Sequence, residues 1–223
     1  MLTVLMVGLV MTPAQADVIE GDQVYVGDTT IAADDIVVGN ITIKDGTLTV
    51  EGRVEGNITQ LGEGSVVVKS GRVVGTIYER DAGDVISSLA ITEGDIFEYG
   101  PGNVNGYIGN IVGNVFEHDE GSVNLGDHIL TGNIVERGPG RANFYDGVLQ
   151  GSITESGDGK AEVYEAFVTG TITESGEGTV ELGAFAGVGA VIEGGPGDVI
   201  IECFSEVFGD VIERGPGSIQ NPC

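Results

Sequence analysis

Eight glutamates recur along this chain at a nearly constant spacing, and carboxylates in a row can do two kinds of chemistry. A pair can act as general acid and general base, and several together can bind a hard cation such as Ca²⁺ through oxygen ligands. Each stands four residues after a glycine, in the pattern Gly-x-[Ile/Val]-x-Glu. The eight are Glu79, Glu98, Glu117, Glu136, Glu155, Glu174, Glu193 and Glu213, and Gln60 holds the same place one repeat earlier. Which chemistry is available depends on the elements that position them.

The elements that position the glutamates are encoded by a repeated sequence pattern. Counted along the chain, the step from one opening glycine to the next is 19 seven times and then 20, after one earlier step of 17. The glycines are Gly39, Gly56, Gly75, Gly94, Gly113, Gly132, Gly151, Gly170, Gly189 and Gly209. Two residues after each comes a β-branched aliphatic residue: Ile41, Ile58, Ile77, Ile96, Val115, Ile134, Ile153, Ile172, Val191 and Val211. Such a fixed period is the signature of a repeat protein.

Each unit is predicted to form three short strands. The first reads x-[Ile/Val]-x-Glu, the second carries apolar residues two positions apart, such as Val180 and Leu182, and the third is looser. Alternation with a period of two, together with turns such as "GEG", "GPG" and "GDG", favours strands over helices. A lone unit cannot bury its inward side, but stacked units can. We therefore predict an all-β fold, a right-handed parallel β-helix (β-solenoid) with about 19 residues and three short strands per coil.

The ends of the chain give the predicted domain boundaries. An apolar run over residues 2–11, followed by Ala14-Gln15-Ala16, is typical of a signal peptide cleaved after Ala16. We predict a signal peptide over 1–16, an N-terminal cap or first irregular coil over 17–38, and the β-helix over 39–223. Once the signal peptide is removed, no membrane span is expected.

The two cysteines test the register of the repeat. Cys203 follows Gly189 at the same interval at which Cys223 follows Gly209, so the two hold equivalent places in adjacent coils. Equivalent places put their Cα atoms about 5 Å apart, within disulfide range. We predict a disulfide that holds the last partial coil, as an exported protein allows.

Alternation along the first strand places the glutamates on the same side as the inward isoleucines. Neighbouring carboxylates about 4.8 Å apart repel one another, and more strongly in a low dielectric. Three arrangements relieve this repulsion. In the first, which we favour, the carboxylates accept hydrogen bonds from the backbone amides of the Glu-x-Gly-x-Gly turn. In the second, they are neutralised by the arginines that directly follow column glutamates, Arg80, Arg137 and Arg214. In the third, Ca²⁺ bridges adjacent coils.

The residue between the Ile and the Glu of each unit is predicted to face outward. These residues form a strip of aromatic, aliphatic and threonine side chains: Thr59, Tyr78, Phe97, Phe116, Val135, Thr154, Thr173, Ile192 and Ile212. The strip is a candidate surface for binding or association, because a flat apolar strip is unusual on a soluble rod. Three roles are open for the strip. It packs on the N-terminal segment or on another copy of the chain, which we favour; it stacks against sugar rings; or it orders water as ice-binding threonine arrays do.

Composition narrows the classes of partner. The formal net charge is −26, from 35 acidic and 9 basic residues. Nucleic acid and anionic lipid are therefore disfavoured, because both require a cationic surface. Possible partners are a further copy of the chain, an extracellular polysaccharide or a cell-surface component. We expect the protein to be secreted, extracellular or at the cell surface, with the periplasm as an alternative.

No catalytic constellation is evident. The two histidines, His118 and His128, fall in one coil, and the string "EHDE" over 117–120 is typical of a solvated acidic turn rather than of a metal site. Neither a Ser-His-Asp pattern nor a phosphate-binding loop occurs. We expect no enzyme activity and no cofactor, Ca²⁺ being the one candidate ion.

Residues 34–77, "DDIVVGNITIKDGTLTVEGRVEGNITQ…VVGTIYE", resemble the bactofilins, the polymer-forming cytoskeletal proteins. They share the rhythm Val-x-Gly-x-[Ile/Val], over about a fifth of the chain. This resemblance implies a right-handed β-helix that polymerises end to end.

The sequence therefore predicts a non-catalytic, exported structural or adhesion-type rod that self-associates. The alternative is a carbohydrate-binding or carbohydrate-active β-helix that uses the outward strip.

Overall fold

The computed structural model describes residues 16–223. Apart from Ala16, the predicted signal peptide lies outside the described residues. Residues 16–223 form 28 β-strands and no α-helix. This part of the chain accordingly has no helix that could cross a membrane.

The strands are short and follow one another closely. In chain order they are β1 (Val18–Glu20), β2 (Gln23–Val26), β3 (Thr29–Ile31), β4 (Ile36–Val38), β5 (Ile41–Lys44), β6 (Leu48–Val50), β7 (Arg53–Glu55), β8 (Ile58–Leu61), β9 (Val66–Lys69), β10 (Arg72–Val74), β11 (Ile77–Glu79), β12 (Val85–Glu93), β13 (Ile96–Glu98), β14 (Val104–Val112), β15 (Val115–Glu117), β16 (Val123–Thr131), β17 (Ile134–Glu136), β18 (Arg141–Tyr145), β19 (Val148–Gln150), β20 (Ile153–Glu155), β21 (Lys160–Tyr164), β22 (Phe167–Glu174), β23 (Thr179–Leu182), β24 (Gly187–Glu193), β25 (Val199–Ile201), β26 (Glu206–Val207), β27 (Val211–Glu213) and β28 (Ile219–Gln220).

The chain winds through about 11 turns of a β-solenoid with three faces. The first face carries the Ile-x-Glu strands: β2, β5, β8, β11, β13, β15, β17, β20, the ends of β22 and β24, and β27. The second face follows it along the chain: β3, β6, β9, the beginnings of β12, β14 and β16, then β18, β21, β23, β25 and β28. The third face completes the coil: β1, β4, β7, β10, the ends of β12, β14 and β16, then β19, the beginnings of β22 and β24, and β26.

Every strand pairs in parallel with the equivalent strand of the next coil. β11 pairs with β13 so that Ile77 lies beside Ile96, and Glu79 beside Glu98. The offset between paired residues equals the repeat length that the spacing of the glycines predicted. Ten steps of about 4.8 Å give a rod roughly 48 Å long. The prediction of a parallel β-helix with one repeat per coil is confirmed.

The core is a set of aliphatic columns that run along the axis. The predicted inward residues of the first face, from Ile41 to Val191, are fully buried. On the second face, Val180 and Leu182 are fully buried as well. Phe144 is the bulkiest buried side chain. Because burying such a side chain contributes about 1.5–3 kcal/mol, the stacked columns supply most of the stabilisation of the fold.

The corner between the first and second faces is built from glycine because consecutive coils approach closely there. A Cβ on Gly159 would overlap the carbonyl oxygen of Gly140 in the preceding coil. This explains why the turns read "GPG", "GDG" and "GEG": only a residue without a side chain allows the coils to pair at this spacing.

The corner between the second and third faces is built differently. At one position per coil a non-glycine residue adopts a left-handed backbone, with φ between 50° and 69°. The eight residues are Ser70, Leu89, Ile108, Asp127, Asp146, Glu165, Phe185 and Phe204. Leucine, isoleucine and phenylalanine rarely adopt this conformation. The sequence analysis did not predict this corner.

Both ends of the described rod are formed by regular coils. Residues 17–38, for which the sequence predicted a cap or an irregular first coil, form β1 to β4, which pair in parallel with following strands. At the other end Cys203 and Cys223 form the predicted disulfide, with Cα atoms 5.5 Å apart.

Candidate functional site: the glutamate column and the outer faces

The glutamates form a column inside the corner between the first and second faces. Each ends a first-face strand and faces inward with the isoleucine two residues before it. Seven are fully buried: Glu79, Glu98, Glu117, Glu136, Glu155, Glu174 and Glu193. Glu213, in the last coil, is partly exposed, and Gln60 is buried at the same position near the beginning of the column.

One carboxylate oxygen of most column residues accepts backbone amides of its own turn. The amide of Gly138 donates to Glu136 Oε1 at 2.7 Å, and that of Gly176 to Glu174 Oε1 at 2.6 Å. In the "ESGEG" turn the amide of Gly178 also donates to Glu174, at 3.3 Å. Consecutive turn amides therefore form the anion-binding nest that the first of the three arrangements requires.

The second oxygen of each glutamate has no such donor. The Oε2 atoms of all eight are buried and lack a conventional hydrogen-bond partner among the described residues. Their neighbours are carboxyl groups of the coils above and below. The carboxyl groups of Glu79 and Glu117 flank Glu98, and those of Glu117 and Glu155 flank Glu136. Two carboxylates have no donor to share, so a hydrogen bond between neighbours in the column requires a proton on one of them.

Burial is the main reason that the pKa values in the column rise. Burial, then hydrogen bonds with neighbouring carboxyls, raise the pKa of Glu98 to about 10 and that of Glu136 to about 9. Burial also raises the pKa values of Glu79, Glu174 and Glu193. Glu98 and Glu136 are therefore protonated at neutral pH.

The second predicted arrangement, neutralisation by arginine, is not seen in residues 16–223. Arg80, Arg137 and Arg214 form no ion pair with a column glutamate, and the Arg80 guanidinium lies 5.3 Å from the Tyr78 ring centroid. Within this part of the chain no group of three or more His, Cys, Asp or Glu side chains is placed to hold a metal ion. Among residues 16–223, the hydrogen bonds made to the column glutamates come from turn amides.

The predicted outward strip lies on the first face, and its residues are half-buried. Its aromatic members form a ladder: the ring centroids of Tyr78 and Phe97 lie 5.3 Å apart, and those of Phe97 and Phe116 lie 4.6 Å apart. The ring planes are nearly parallel, at 8° in the first pair and 6° in the second. Because the rings stack on one another along the axis, their faces are occupied and a sugar chain lying along the strip meets mainly their edges.

The histidines do not converge on a common site. His118 lies on the surface and stacks on Tyr99, with centroids 4.8 Å apart. His128 is fully buried at the corner of the second and third faces, where its Nδ1 lies 2.6 Å from the Gly126 carbonyl oxygen, and burial lowers its pKa. In the string "EHDE", Glu117 points inward whereas Asp119 and Glu120 are exposed. The interpretation of this string as a turn is consistent with these positions.

Two surfaces that the sequence analysis missed lie on the other faces. The second face carries a groove lined by tyrosine, asparagine and acidic side chains, and the third face carries exposed aliphatic and phenylalanine side chains. A signal for the groove was visible, since Asn105, Asn124 and Asn143 recur once per repeat. The sequence held no comparable signal for the exposed third face. Its strands carry apolar residues at both inward and outward positions, and such a pattern is typical of a strand that is buried on both sides.

Comparisons of the chain with protein-family models, with curated proteins and with solved structures found no match.

Proposed function

We propose that this chain is a non-catalytic, exported structural or adhesion-type rod that associates side by side with a second copy through its third face. The observation that carries the proposal is the concentration of exposed apolar side chains on this face and its corner with the second face. They are Leu89, Ile91, Ile108, Val112, Ile129, Val148, Phe167, Phe185, Phe204 and Phe208. Apolar side chains concentrated in this way are typical of an interaction site. At the corner, the exposed residues Asp127, Asp146 and Glu165 separate Leu89 and Ile108 from the phenylalanines.

Four phenylalanines form the most apolar part of the third face, near the C-terminal end. The Phe185 and Phe204 rings stack with centroids 5.5 Å apart and are 64% and 79% exposed. Phe167 and Phe208 lie beside them, with centroids 5.7 Å apart. Together they line a groove of about 330 Å³. We call these four residues the phenylalanine cluster; their exposure to water is unfavourable unless another surface covers them.

A second copy is the occupant that best matches this face. Two identical solenoids have the same repeat of about 4.8 Å, so that their side chains interdigitate along the whole contact. The distribution of charge also favours contact through this face. Because the net charge of the chain is −26, most of its surfaces repel the same surface of a second copy. The outward row of the third face from Ile91 to Gly187 carries no charged side chain in any coil: Ile91, Asn110, Ile129, Val148, Phe167 and Gly187.

The size of the face sets the expected strength. Seven coils at about 4.8 Å give a strip roughly 30 Å long, and a strand of three residues is about 10 Å wide. Each copy therefore contributes a few hundred Å² at the strands and more at the corner, near the lower limit of specific interfaces. We expect a weak dimer whose population depends on concentration.

Export is supported by two features of the chain. The Cys203–Cys223 disulfide suits an oxidising compartment, and residues 1–16 have the pattern of a signal peptide.

The dimer is tested by sedimentation velocity over a range of protein concentrations at physiological salt. The wild-type protein should shift from monomer to dimer as concentration rises. Phe185→Asp should abolish the shift, because it places a charge in the centre of the phenylalanine cluster. Val24→Asp is the matched control, since Val24 is equally exposed but lies on the first face; it should associate as the wild type does.

A wild-type protein that stays monomeric at all concentrations would contradict the proposal. So would equal loss of association in the two variants, because that result would reflect added charge rather than the third face.

A further inference from the structure

The outer side of the second face carries a long groove that the self-association proposal does not use. Its larger part, about 490 Å³, is lined by Asn143, Tyr145, Glu162 and Tyr164 among others. A smaller part, about 270 Å³, continues from Tyr145 towards Ile86. The two share Tyr145 and together extend over six coil steps from Ile86 to Glu202, or roughly 29 Å along the axis. A groove of this shape suits a linear ligand.

The tyrosines of the groove are arranged differently from the aromatic ladder of the first face. Tyr145 leans over Gly126 of the preceding coil, and Tyr164 leans over Gly183 of the following coil; a Cβ on either glycine would overlap the ring. No ring–ring stacking involves Tyr145 or Tyr164 among the described residues. The Tyr164 hydroxyl is anchored by Glu181 Oε1 at 2.7 Å. The glycines thus make room for two rings that line the groove without stacking on each other.

The floor of the groove has an acceptor without a donor. Asn124 donates to Asn105 at 3.0 Å and Asn143 donates to Asn124 at 2.7 Å, so that the ladder ends with the Oδ1 atom of Asn143. That atom is buried and has no hydrogen-bond partner in the part of the chain that the structure describes. The residue beside it in the next coil is Glu162, a second acceptor.

Glu162 is itself held in place as a buried charged group. It is only 8% exposed, and Arg141 lies 3.2 Å and Lys160 3.8 Å from its carboxylate oxygens. The exposed carboxylates of Asp146, Glu165 and Glu202 line the same groove and are also acceptors, so a ligand that donates hydrogen bonds fits this part of the groove. Hydroxyl and ammonium groups are such donors.

The charge around the groove restricts the ligand further. Asp146, Glu165 and Glu202 line it and form no ion pair among residues 16–223. These acids disfavour an anionic ligand. A peptide strand is also disfavoured, because the second-face strands bond to the coils on both sides and present no free backbone edge. Recognition must come from side chains, and tyrosine rings beside amide and carboxylate groups offer both an apolar surface and hydrogen bonds.

We propose that the outer groove of the second face binds a linear glycan that is neutral or bears amino groups, with Tyr145 and Tyr164 contacting its sugar rings and the exposed carboxylates of Asp146, Glu165 and Glu202 accepting its hydrogen bonds. The site lies on a different face from the predicted strip, and it meets the self-association surface at the corner residue Glu165.

The test measures binding of three soluble probes to the full chain by isothermal titration calorimetry: a neutral β-glucan oligomer, a chitosan oligomer and an oligogalacturonate. At least one of the first two should bind, and the anionic probe should not. Tyr145→Ala and Tyr164→Ala should each weaken binding about tenfold, because each removes one aromatic contact without altering charge. Glu202→Ala should weaken it through loss of an exposed acceptor.

Tyr78→Ala is the matched control, because it removes a tyrosine from the first face and should leave glycan affinity unchanged. Circular dichroism confirms that each variant is folded. Failure of both the β-glucan and the chitosan oligomer to bind would overturn the proposal. Chitosan binding that survives both groove tyrosine variants would also overturn it, since attraction to the net negative charge alone would then explain the binding. Sedimentation of the same proteins reports self-association separately, so that either proposal can fail without the other.

Discussion

At the scale of single residues, the glutamate column places many carboxyl groups in a buried environment and close to one another. A buried carboxylate is costly, and a row of them is costlier, yet seven of the eight column glutamates have one oxygen bonded to a turn amide. Glu98, the eighth, has a pKa that burial raises to about 10, so that it is neutral at pH 7. Gln60 illustrates the neutral solution: its Nε2 donates to the Gly62 carbonyl at 2.9 Å from the same buried position.

The raised pKa values determine how stability depends on pH. A carboxyl whose pKa is higher in the folded state than in the unfolded chain favours folding when it is protonated. Its contribution is fully present below about pH 4.5 and is lost as the pH rises through the folded value, about 9 for Glu136. The buried His128 acts in the opposite sense, because its lowered pKa costs stability below about pH 6.5, and the more exposed His118 does so more weakly. The glutamates outnumber the histidines, so that stability should be greatest in acid.

Replacing Glu136 with glutamine tests this account. The amide cannot ionise, but it keeps an oxygen for the Gly138 amide and gains donors for the neighbouring carboxyls. The variant should lose less stability than the wild type between pH 5 and 9. The slope of unfolding free energy against pH should become shallower by up to about 1.4 kcal/mol per pH unit, the value for one proton. Urea unfolding at several pH values measures it.

Glu120→Gln serves as the control, because it removes a charge at an exposed position of a neighbouring coil. It should leave the slope nearly unchanged. Repeating the series in 1 M salt screens the exposed charges beyond about 3 Å while leaving the buried column unscreened. If salt abolished the pH dependence of the wild type, repulsion at the surface rather than the column would be its cause.

At the scale of the structural element, the corner glycines decide whether neighbouring coils can pair. Gly157→Ala should destabilise the protein by about 1–3 kcal/mol, because the added Cβ would overlap the carbonyl oxygen of Gly138 and force the two coils apart. Thermal or urea unfolding gives the change.

Gly194→Ala provides the comparison within the same kind of corner. A Cβ there would meet nothing closer than 3.5 Å, so the stability should change by less than about 1 kcal/mol. Equal destabilisation by both substitutions would show that glycine is needed for its backbone freedom and not for close approach.

At the scale of the whole molecule, each coil contacts mainly the coils on either side, and stability is a property of neighbouring pairs. Within residues 16–223, the strands β26, β27 and β28 of the last coil are partly or fully exposed. The Cys203–Cys223 disulfide closes a loop over this terminal coil and limits its fraying.

Cys223→Ser should therefore loosen the end of the rod and not its middle. The model of loop-closure entropy gives about 3 kcal/mol for a loop of this size. Hydrogen exchange followed by mass spectrometry should become faster over residues 206–220 and remain unchanged over β11 to β17. Cys203→Ser should give the same result, and faster exchange along the whole chain would mean that the coils unfold together.

The periodic part of the sequence determined most of the fold. The constant step between glycines predicted the register, the alternation predicted the inward aliphatic columns, and the matching positions of Cys203 and Cys223 predicted their pairing. The same step placed Glu174 inside the corner near its own turn amides. These features are determined locally, because a stacked repeat converts spacing in sequence directly into distance along one axis.

The tertiary structure decided what the outer faces present and in what state the column exists. Whether Tyr78 offers its ring face, whether Tyr145 leans over a glycine, and whether Phe185 is exposed at a left-handed corner all depend on side-chain packing between coils. Alternation distinguishes inside from outside but not one outward surface from another. Likewise, the pKa of Glu98 depends on burial and on its neighbours in adjacent coils, which are a full repeat away in the sequence and in contact only once the chain has folded.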